Sequence, residues 1–485
     1  MLLIRMLYKS APDDLKTLQY LTEPERRGMK PSTARQDNGK VPLPTDHGKA
    51  QLQPIVKGKI VPSSWQWQPP IKCPASINNK LTKITWDPCD PHKEKGKNKC
   101  PLTCLDIVNG RRAKMEDASR IRNVIMTDAE LKTLATNCDD LFVRGKYANE
   151  VGTDEEMNFP LAYSILVYKD AGQVEMLLRS IYQPNNAYCF HIDQKASAVF
   201  KEAMKEMVKC FPNVVISNRS VRVMYASFSR LYADILCMRE LVQSPHKWKY
   251  LINLAGTAMP LKTNWEIVQV LSMYNKANDI EGLMPNQTIK ERFSHKWIVS
   301  NVTNDTNRIG MVKTNITKSP PPHNLNIIRG SAYGSFSRGF INYVLNDRVA
   351  KDFLDWSMDT YSPDEHYWAT LHHLYYNPHL RTPGGFKGPA KSSSWITSYS
   401  SWPMEEPCLG QALKKTSPCI LGLYAFPDLN QRPEFFVNKF SRSFEPLAQY
   451  CLSAAIQFRT LCQKEFDVSH YQKFPIIKDE FLVQR

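Results

Sequence analysis

The sequence predicts an α/β domain built around a mainly parallel central sheet, and two patterns carry that prediction. From Phe159 onward, nearly continuous apolar runs of strand length alternate with longer segments in which apolar residues recur at helical spacing. A parallel strand is buried on both faces, so it forms an unbroken apolar run. With 485 residues, 42% of them apolar, the chain can bury the large core that such a domain needs. Ligands of these folds bind beyond the carboxyl ends of the strands, so functional residues are expected there.

The predicted elements follow one another from residue 161. Apolar runs predict strands over residues 161–168, 187–193, 213–217 and 249–256. Helical spacing predicts helices over residues 172–181, 196–210 and 229–243. Residues 324–345 then read as a strand followed by a helix, and the chain beyond residue 429 is helical in part. Because strands and helices alternate, the connections are predicted to be crossovers between parallel strands.

Other regions depart from this pattern. Residues 1–125 are rich in Lys, Pro, Asp and Asn, a composition typical of a low-complexity stem or linker, and residues 126–485 are predicted to form the folded domain. At the start of that domain, leucines at helical spacing predict one helix over residues 128–141. Polar composition predicts a long loop over residues 287–322, and a high content of Pro, Gly and Ser predicts irregular chain over residues 382–407.

The chain is strongly basic, with a formal net charge of +16 and a pI of about 9.2. Clustered basic residues can bind nucleic acid by releasing counterions. Here lysines and arginines are dispersed, and no helix-turn-helix, zinc-finger or RNA-binding signature is present. We therefore predict no nucleic-acid partner. The basic surface suits an anionic ligand, a membrane face or solubility.

Cysteines and glycosylation sequons indicate an oxidising compartment. Twelve cysteines are spread singly along the chain, and only Cys100 and Cys104 approach the spacing of paired zinc ligands, so disulfide bonds are the better prediction. The apolar stretch at residues 1–7 is shorter than the ~20 residues of a membrane-spanning helix, so no anchor is visible. Five N-x-S/T sequons agree with a secretory route: Asn218, Asn286, Asn301, Asn304 and Asn315.

Asp193 ends the second predicted strand and has two interpretations. Its carboxylate could accept hydrogen bonds from the base or ribose of a bound nucleotide, because those groups carry N–H and hydroxyl donors. It could equally cap the helix that follows. The residues alone leave the two interpretations open.

The hexapeptide YSPDEH, residues 361–366, places two adjacent carboxylates where a helix could begin. Such pairs usually cap helices and complement the helix dipole, and the alternative is that one carboxylate acts as a general base. No D-x-D triplet follows an apolar strand in the folded domain, so paired metal-binding acids are not predicted. Lysines are then the candidates for stabilising a departing phosphate: Lys439, with Lys414 and Lys415 nearby in the chain.

Several long motifs occur in a fixed order between about residue 160 and residue 451. They are PLAYSILVYKD, RSIYQPNNAYCFHIDQKA, NLAGTAMPLKTN, PPPHNLNIIRGSAYGSFSRGF, SPDEHYWATL and VNKF. Together they resemble the β1,6-N-acetylglucosaminyltransferase family of mucin core 2 and I-branching enzymes. The resemblance implies that residues 126–485 form a glycosyltransferase catalytic domain with a GT-A-like fold.

The activity implied by the resemblance is transfer of N-acetylglucosamine from UDP-GlcNAc, with inversion, to the 6-hydroxyl of a galactosyl or N-acetylgalactosaminyl residue in a glycoprotein O-glycan. No metal or other cofactor is implied. The implied location is the Golgi membrane, in a type II arrangement with a lumenal catalytic domain, and a homodimer is one assembly that this prediction allows. Two alternatives stay open: a related transferase with another donor such as UDP-xylose, and a non-catalytic member that binds UDP or glycan.

The resemblance also assigns residues by position. It makes Glu365 of SPDEH the catalytic base, which replaces the capping interpretation for that residue. The implied donor contacts are Leu166, Val167, Tyr168, Asp193, Gln194, Lys195, Tyr225 and Lys439, with Lys415 as a substitute second phosphate ligand. The implied acceptor contacts are Glu281, Arg292 and Lys290, with either Trp395 or Trp402 as an aromatic platform.

By the same resemblance, the implied disulfide pairs are Cys138 with Cys210, Cys189 with Cys237, Cys408 with Cys419, and Cys451 with Cys100 or Cys104. The chain departs from the family pattern at four positions, where a cysteine, an acid, a lysine and a basic phosphate ligand are replaced by Ala255, Ala258, Ile289 and Thr416. A lost charge-assisted contact could cost about 1.5–3 kcal/mol, which would slow an enzyme without abolishing its activity.

Overall fold

A computed structural model describes residues 104–108, 116, 125–283, 289–302, 305–390, 394–403, 408, 410–411, 417–461 and 466–478. These residues belong to one compact unit, Val61–Arg485. Most of the predicted stem, residues 1–125, lies outside the described residues, so the division at residue 126 stays a prediction. None of the helices in the described part of the chain is long and apolar enough to cross a membrane.

The strands confirm the predicted alternating region and add several shorter ones. They are β1 (Leu161–Val167), β2 (Ala187–Ile192), β3 (Val214–Ile216), β4 (Tyr250–Ala255), β5 (Ala258–Pro260), β6 (Asp279–Ile280), β7 (His295–Val302), β8 (Asp305–Thr317), β9 (Gly334–Ser337), β10 (Ser398–Tyr399), β11 (Gly410–Gln411), β12 (Ile420–Leu421) and β13 (Phe436–Asn438). The four predicted strands correspond to β1–β4, each within two residues at either end.

The helices agree equally well in the alternating region. They are α1 (Cys104–Val108), α2 (Asp128–Leu134), α3 (Cys138–Gly145), α4 (Asp154–Asn158), α5 (Ala171–Ile181), α6 (Ala198–Lys209), α7 (Phe228–Gln243), α8 (Asn264–Met273), α9 (Glu291–Ser294), α10 (Arg338–Asn346), α11 (Arg348–Trp356), α12 (Tyr367–His372), α13 (Phe426–Leu429), α14 (Pro446–Leu461) and α15 (Pro475–Lys478). Side-chain caps begin several of them, for example Ser197 at α6 and Ser227 at α7.

The central sheet has six strands in the order β3-β2-β1-β4-β9-β6. The pairs formed by β1 with β2, β1 with β4 and β2 with β3 are parallel, whereas β9 runs antiparallel to β4 and β6. The sheet is therefore mainly parallel, as the alternating pattern predicts. Three of its parallel strands reach the same edge with their carboxyl ends, which is where a ligand is expected.

Apolar side chains cover both faces of the sheet. Along β1, Tyr163 and Ile165 point into one core, and Ala162 points into a second core on the opposite face. Helices α5, α6, α8 and α14 supply the first core, and α7, α10, α11 and α12 supply the second. Burial on both faces explains why β1 and β2 are apolar at nearly every position.

Four disulfide bonds are present among the described residues, and they match the predicted pairs. They join Cys138 to Cys210, Cys189 to Cys237, Cys408 to Cys419, and Cys104 to Cys451. The last bond selects Cys104 over Cys100 as the partner of Cys451 and ties α1 to α14. The predicted stem thus contains at least one helix that contacts α14 of the folded domain.

Two secondary-structure predictions are wrong. The helix predicted over residues 128–141 is two helices, because Asn137 adopts an extended conformation and its side chain caps α3. The loop predicted over residues 287–322 is mostly α9 and a long β7–β8 hairpin, in which Ile298 pairs with Val312 and Val299 with Met311. Polar sequon residues conceal this hairpin in the sequence, since a two-stranded ribbon can leave much of its surface in water.

Candidate functional site

The carboxyl ends of β1, β2 and β4 meet at one edge of the sheet. The Asp193 amide donates to the Val167 carbonyl over 2.9 Å, and the Gly256 amide donates to the Leu166 carbonyl over 2.9 Å. A side chain at Gly256 would not fit, because its Cβ would lie 2.8 Å from Cγ1 of Val167. The close approach of these backbones places the predicted donor residues at β1 and β2 side by side.

Asp193 is 4% exposed and organises the turn after β2. Its Oδ1 accepts from the amides of Lys195 at 2.9 Å and Val223 at 3.3 Å, and its Oδ2 lies 3.1 Å from Nζ of Lys195. The following helix, α6, is capped by Ser197 instead. The helix-cap interpretation of Asp193 is therefore wrong, and the interpretation as part of a binding turn stays a prediction.

Basic and aromatic side chains surround this turn. The Nζ atoms of Lys195 and Lys169 lie 5.3 and 5.4 Å from the ring centroid of Tyr168. The position of Gln194 is fixed by its backbone amide, which donates to the Val221 carbonyl over 3.1 Å. Such a cluster combines positive charge with an aromatic face, as an anionic nucleotide ligand requires.

Lys439 reaches the same edge from the far end of the sequence. It follows β13, and Asn438 accepts a 2.8 Å hydrogen bond from the hydroxyl of Thr257, just beyond the end of β4. Burial, together with the charge of Lys169, lowers the pKa of Lys439. Lys439 therefore lies within electrostatic range of Lys169. Lys414, Lys415 and Thr416 lie outside the described residues.

Residues 217–227 connect this edge to the turn that carries Glu365. Nζ of Lys195 donates to the Val223 carbonyl over 2.7 Å, and the Ser362 amide donates to the Ala226 carbonyl over 2.7 Å. Tyr225, next to Ala226, is 80% exposed, so a ligand can reach it. Its pKa is raised, first by partial burial of the phenol and then by Tyr361 and Glu365, even though most of the residue is exposed. Tyr225 thus lies between the donor residues and Glu365.

Glu365 ends a one-turn 3-10 helix, Pro363–Glu365. Its Oε2 lies 2.5 Å from Nη1 of Arg292 and 3.7 Å from Nη2 of Arg329, and its side chain is 32% exposed. The helix that follows, α12, has no side-chain cap, so neither carboxylate of the YSPDEH motif caps it. Glu365 is instead a partly exposed carboxylate held between two arginines.

The neighbouring aromatic residues fix Arg292 relative to this turn. The Arg292 guanidinium lies 5.5 Å from the ring centroid of Tyr361, and the Arg292 carbonyl accepts from the Tyr361 amide over 2.8 Å. Trp297 of the hairpin packs on the same ring, with centroids 4.7 Å apart. The root of the β7–β8 hairpin is therefore part of the site.

The other predicted acceptor residues occupy several places around the turn. Glu281 directly follows β6, beside Gly330, where a Cβ would lie only 2.1 Å from the Glu281 carbonyl oxygen. Lys290 is the N-cap residue of α9, two residues before Arg292, and the exposed Ile289 precedes it.

The two predicted platform tryptophans differ in position. Trp395 precedes Ile396, whose amide donates to Oδ2 of Asp279 in β6 over 3.1 Å, so it lies near the strand that leads to Glu281. Its indole Nε1 is buried, with no hydrogen-bond partner in the part of the chain that is described. Trp402 follows Ser401, whose carbonyl accepts from the Cys419 amide over 2.9 Å, and so lies beside the Cys408–Cys419 disulfide.

Sequence reasoning missed four residues of this site: Lys169, Arg329, Tyr361 and Asp364. Lys169 directly follows Tyr168, so its position after β1 could have indicated it. Arg329 lies in an irregular segment before β9 and has no local pattern that predicts a contact with Glu365. Asp364 was available in the same motif as Glu365, but only the structure shows that it points into the protein, where it is 7% exposed.

The described residues contain no group of three or more His, Cys, Asp or Glu side chains that could hold a metal ion. The lysines at the donor edge are Lys169, Lys195 and Lys439. Chemically, the arrangement combines a basic, aromatic edge with a carboxylate approached by two arginines, joined by one short segment.

Comparisons with known proteins identify similar sequences. The Core-2/I-Branching enzyme family profile matches residues 161–429. A Danio rerio protein named beta-1,3-galactosyl-O-glycosyl-glycoprotein beta-1,6-N-acetylglucosaminyltransferase 4 is 38% identical over 355 residues, which cover 71% of this chain and 80% of the relative. The Homo sapiens N-acetyllactosaminide beta-1,6-N-acetylglucosaminyl-transferase is 39% identical over 344 residues, which cover 70% of this chain and 83% of the relative.

A solved structure of the Saccharomyces cerevisiae mannosyltransferase Ktr4p with GDP aligns with 55% of this chain and 80% of its own, at 10% identity and a TM-score of 0.24.

Proposed function

Since the chain belongs to the Core-2/I-Branching enzyme family, we propose that it transfers N-acetylglucosamine from UDP-GlcNAc to the 6-hydroxyl of a galactosyl or N-acetylgalactosaminyl residue in an O-glycan. The observation that carries this proposal is the position of Glu365. Its carboxylate is held by Arg292 and Arg329 and is connected through residues 217–227 to the basic edge of the sheet.

In the proposed reaction, Glu365 is the general base. The acceptor hydroxyl oxygen attacks the anomeric carbon of the donor sugar, the bond from that carbon to the UDP oxygen breaks, and the hydroxyl proton passes to Glu365. One direct displacement inverts the anomeric centre and gives a β1,6 linkage. Both arginines approach Oε2, so Oε1 is the oxygen that an incoming hydroxyl can reach.

For the donor, we propose that the turn formed by Asp193, Gln194 and Lys195 binds the uridine together with Leu166, Val167 and Tyr168. Tyr225 extends this surface toward Glu365. Lys439, with Lys169 beside it, stabilises the diphosphate as negative charge develops on it. Lysines in this role support a reaction without a metal ion, and the mainly parallel sheet with one antiparallel strand, β9, supports a GT-A-like fold.

For the acceptor, we propose Arg292 and Glu281 as the polar contacts. Ile289 occupies the position of a lysine in the family pattern, and we propose that the adjacent Lys290 takes over the role of that lysine. Trp395 is the better candidate for the aromatic platform, because it lies beside the strand that leads to Glu281. The altered positions Ala255 and Ala258 lie at the end of β4 and in β5, where Ala258 is buried and pairs with Asn438. They adjoin Lys439, so we expect them to change rate more than fold.

We further propose that the enzyme works in the lumen of the Golgi as a membrane-attached, type II protein. Four disulfide bonds and three exposed sequons, at Asn218, Asn301 and Asn315, support a secretory location. Asn286 and Asn304 lie outside the described residues. A homodimer is compatible with this proposal.

The proposal is tested by incubating the full chain with UDP-GlcNAc and acceptors that carry Galβ1,3GalNAc or lactosamine, with and without EDTA. We expect a β1,6-linked product that forms equally well in EDTA. UDP-xylose run in parallel tests the alternative donor. UDP binding without product on any acceptor would contradict the proposed activity and favour a non-catalytic member of the family.

A further inference from the structure

Asp364 and Arg230 carry opposite charges on the two sides of the packing contact between helix α7 and the turn that carries Glu365. Helix α7, which carries Arg230 in its first turn, packs against the turn Pro363–Glu365. Asp364 points inward, whereas Glu365 next to it points toward Arg292 and the solvent. Two adjacent carboxylates thus face opposite directions, and only one of them is accessible to an acceptor.

Arg230 is anchored to the centre of the sheet. Its Nη1 donates to Oδ2 of Asp234 over 2.6 Å, and Asp234 also accepts from Ser164 in β1 at 2.9 Å and from Asn253 in β4 at 3.0 Å. The guanidinium lies 5.5 Å from the ring centroid of Tyr333. Because strands β1 and β4 hold Asp234 in place, the position of Arg230 is set by the rigid core of the domain.

Two atoms in this region lack a hydrogen-bond partner in the described part of the chain: Nη2 of Arg230 and Oδ1 of Asp364, both buried. A buried polar atom without a partner lowers stability by about 1–3 kcal/mol. A residue that carries such an atom is therefore expected to have a role other than stabilising the fold. Their opposite charges attract each other across the contact between α7 and the turn. The attraction pulls the turn toward the sheet.

We propose that Arg230 and Asp364 are positioning residues for Glu365: their attraction holds the turn Pro363–Glu365 against α7, so that the Glu365 carboxylate faces the acceptor. This inference rests on the proposed function of the site. Neither residue needs to touch substrate, since Asp364 is only 7% exposed and the side chain of Arg230 only 16%. A misplaced base costs rate because proton transfer requires the carboxylate and the hydroxyl at hydrogen-bond distance.

The charge state of Asp364 gives the proposal a pH signature. Burial raises the pKa of Asp364 to about 6, Arg230 opposes that rise, and Glu365 and Asp234 add to it. Tyr333 and Tyr225 also face this carboxylate. Below its pKa Asp364 is neutral and attracts Arg230 less. The turn is then held less firmly, so transfer should increase as the pH rises through the pKa.

The test uses the full chain with the substitutions Asp364→Asn, Arg230→Met and the double variant. Each single variant should lower kcat by about 10- to 100-fold, as expected when the base is slightly displaced, and leave the affinity for UDP unchanged. The double variant should be no slower than Arg230→Met, since that variant already removes the attraction to Asp364 together with the ion pair to Asp234. Arg230→Lys should recover part of the rate, and Asp364→Asn should lack the rise in kcat/KM that the wild type shows near pH 6.

Arg338→Met is the matched control. Arg338 is partly buried in the same helical layer, 4.5 Å from the ring centroid of Trp248, and donates to carbonyls away from Glu365. The substitution Arg338→Met should lower Tm and change kcat little. If the wild type transfers the sugar and Asp364→Asn has the same rate and pH profile, the inference is overturned while the proposed function stands. The same holds if the losses of the two single variants multiply in the double variant. No transfer by the wild type would refute the proposed function itself.

Discussion

The donor edge and the base-carrying turn Pro363–Glu365 are held in different ways. At the donor edge, backbone hydrogen bonds join consecutive strand ends, as between Asp193 and Val167 or Gly256 and Leu166. Around Glu365, side-chain charges from separate segments converge, including those of Arg292 and Arg329. The geometry of the first region is therefore set mainly by backbone pairing, whereas that of the second depends on individual charges.

The largest expected effect on kcat comes from replacing Glu365 in the base-carrying turn. Glu365→Gln keeps the size of the side chain but removes the proton acceptor, so kcat should fall by about 10²- to 10⁴-fold while UDP affinity stays unchanged. Rates and UDP binding measured on the same preparation check this. Glu291→Gln, at an exposed glutamate of neighbouring α9 that pairs with Lys313, is the control and should keep its rate. Near-wild-type turnover in Glu365→Gln would assign the base to another group.

A smaller effect is expected at the donor edge. Lys439→Met removes a charge from the proposed diphosphate site and should lower kcat by about 10²- to 10³-fold, because this charge acts on the leaving group as negative charge develops. The loss should appear with every acceptor. Lys209→Met, at an exposed lysine that pairs with Glu206, is the control. If Lys439→Met changed only the KM of the acceptor, the division between the two regions would be wrong.

Arg292→Met should affect the acceptor side selectively. Removing this guanidinium takes away a contact to Glu365 and a proposed contact to the acceptor, so kcat/KM for the acceptor should fall by about 10- to 100-fold while the KM for UDP-GlcNAc changes little. Steady-state kinetics with each substrate varied in turn separates the two. Arg348→Met, at an arginine whose side chain is 89% exposed, should match the wild type. Equal losses for both substrates would argue against a selective acceptor role.

The smallest effect concerns Asp279, a buried carboxylate held by neutral donors instead of arginines. Burial raises its pKa from an ordinary 3.8 to about 6, against the opposing effect of hydrogen bonds from Thr397, Ile396 and Tyr274. Because the folded pKa is the higher one, the folded state favours the protonated acid. The free energy of unfolding should therefore decrease as the pH rises from about 4 to about 6.

Asp279→Asn cannot ionise and should lack this decrease. Urea unfolding of both proteins at pH 4.5 and pH 7 measures the difference, and catalysis is not needed for the readout. If the free energy of unfolding changed equally with pH in the two proteins, the pKa of Asp279 would not be raised. The hydrogen bonds from its neutral donors would then offset the effect of burial.

The donor edge was easier to predict from the sequence than the surroundings of Glu365, because the first is built from local strand patterns and the second from contacts between distant residues. Strands β1 and β2 were found from the sequence because burial on both faces leaves an unbroken apolar run, and Asp193 was found because it ends one of those runs. The β7–β8 hairpin was missed because its polar surface hides the strand pattern. Arg329 was missed because its contact with Glu365 spans 36 positions of the chain and leaves no local pattern.

The sequence by itself determined the α/β class, the mainly parallel sheet and, through its ordered motifs, the family, and the resemblance to that family implied the pairing of Cys138, Cys189 and Cys408 with their partners. Each of these depends on residue patterns that are local or shared across the whole chain. Only the tertiary structure decided that Cys104 pairs with Cys451, that Ser197 and not Asp193 caps α6, and that Asp364 turns inward while Glu365 faces Arg292. These outcomes depend on which distant groups meet after folding, and neighbouring residues with the same chemistry are separated only by the packing around them.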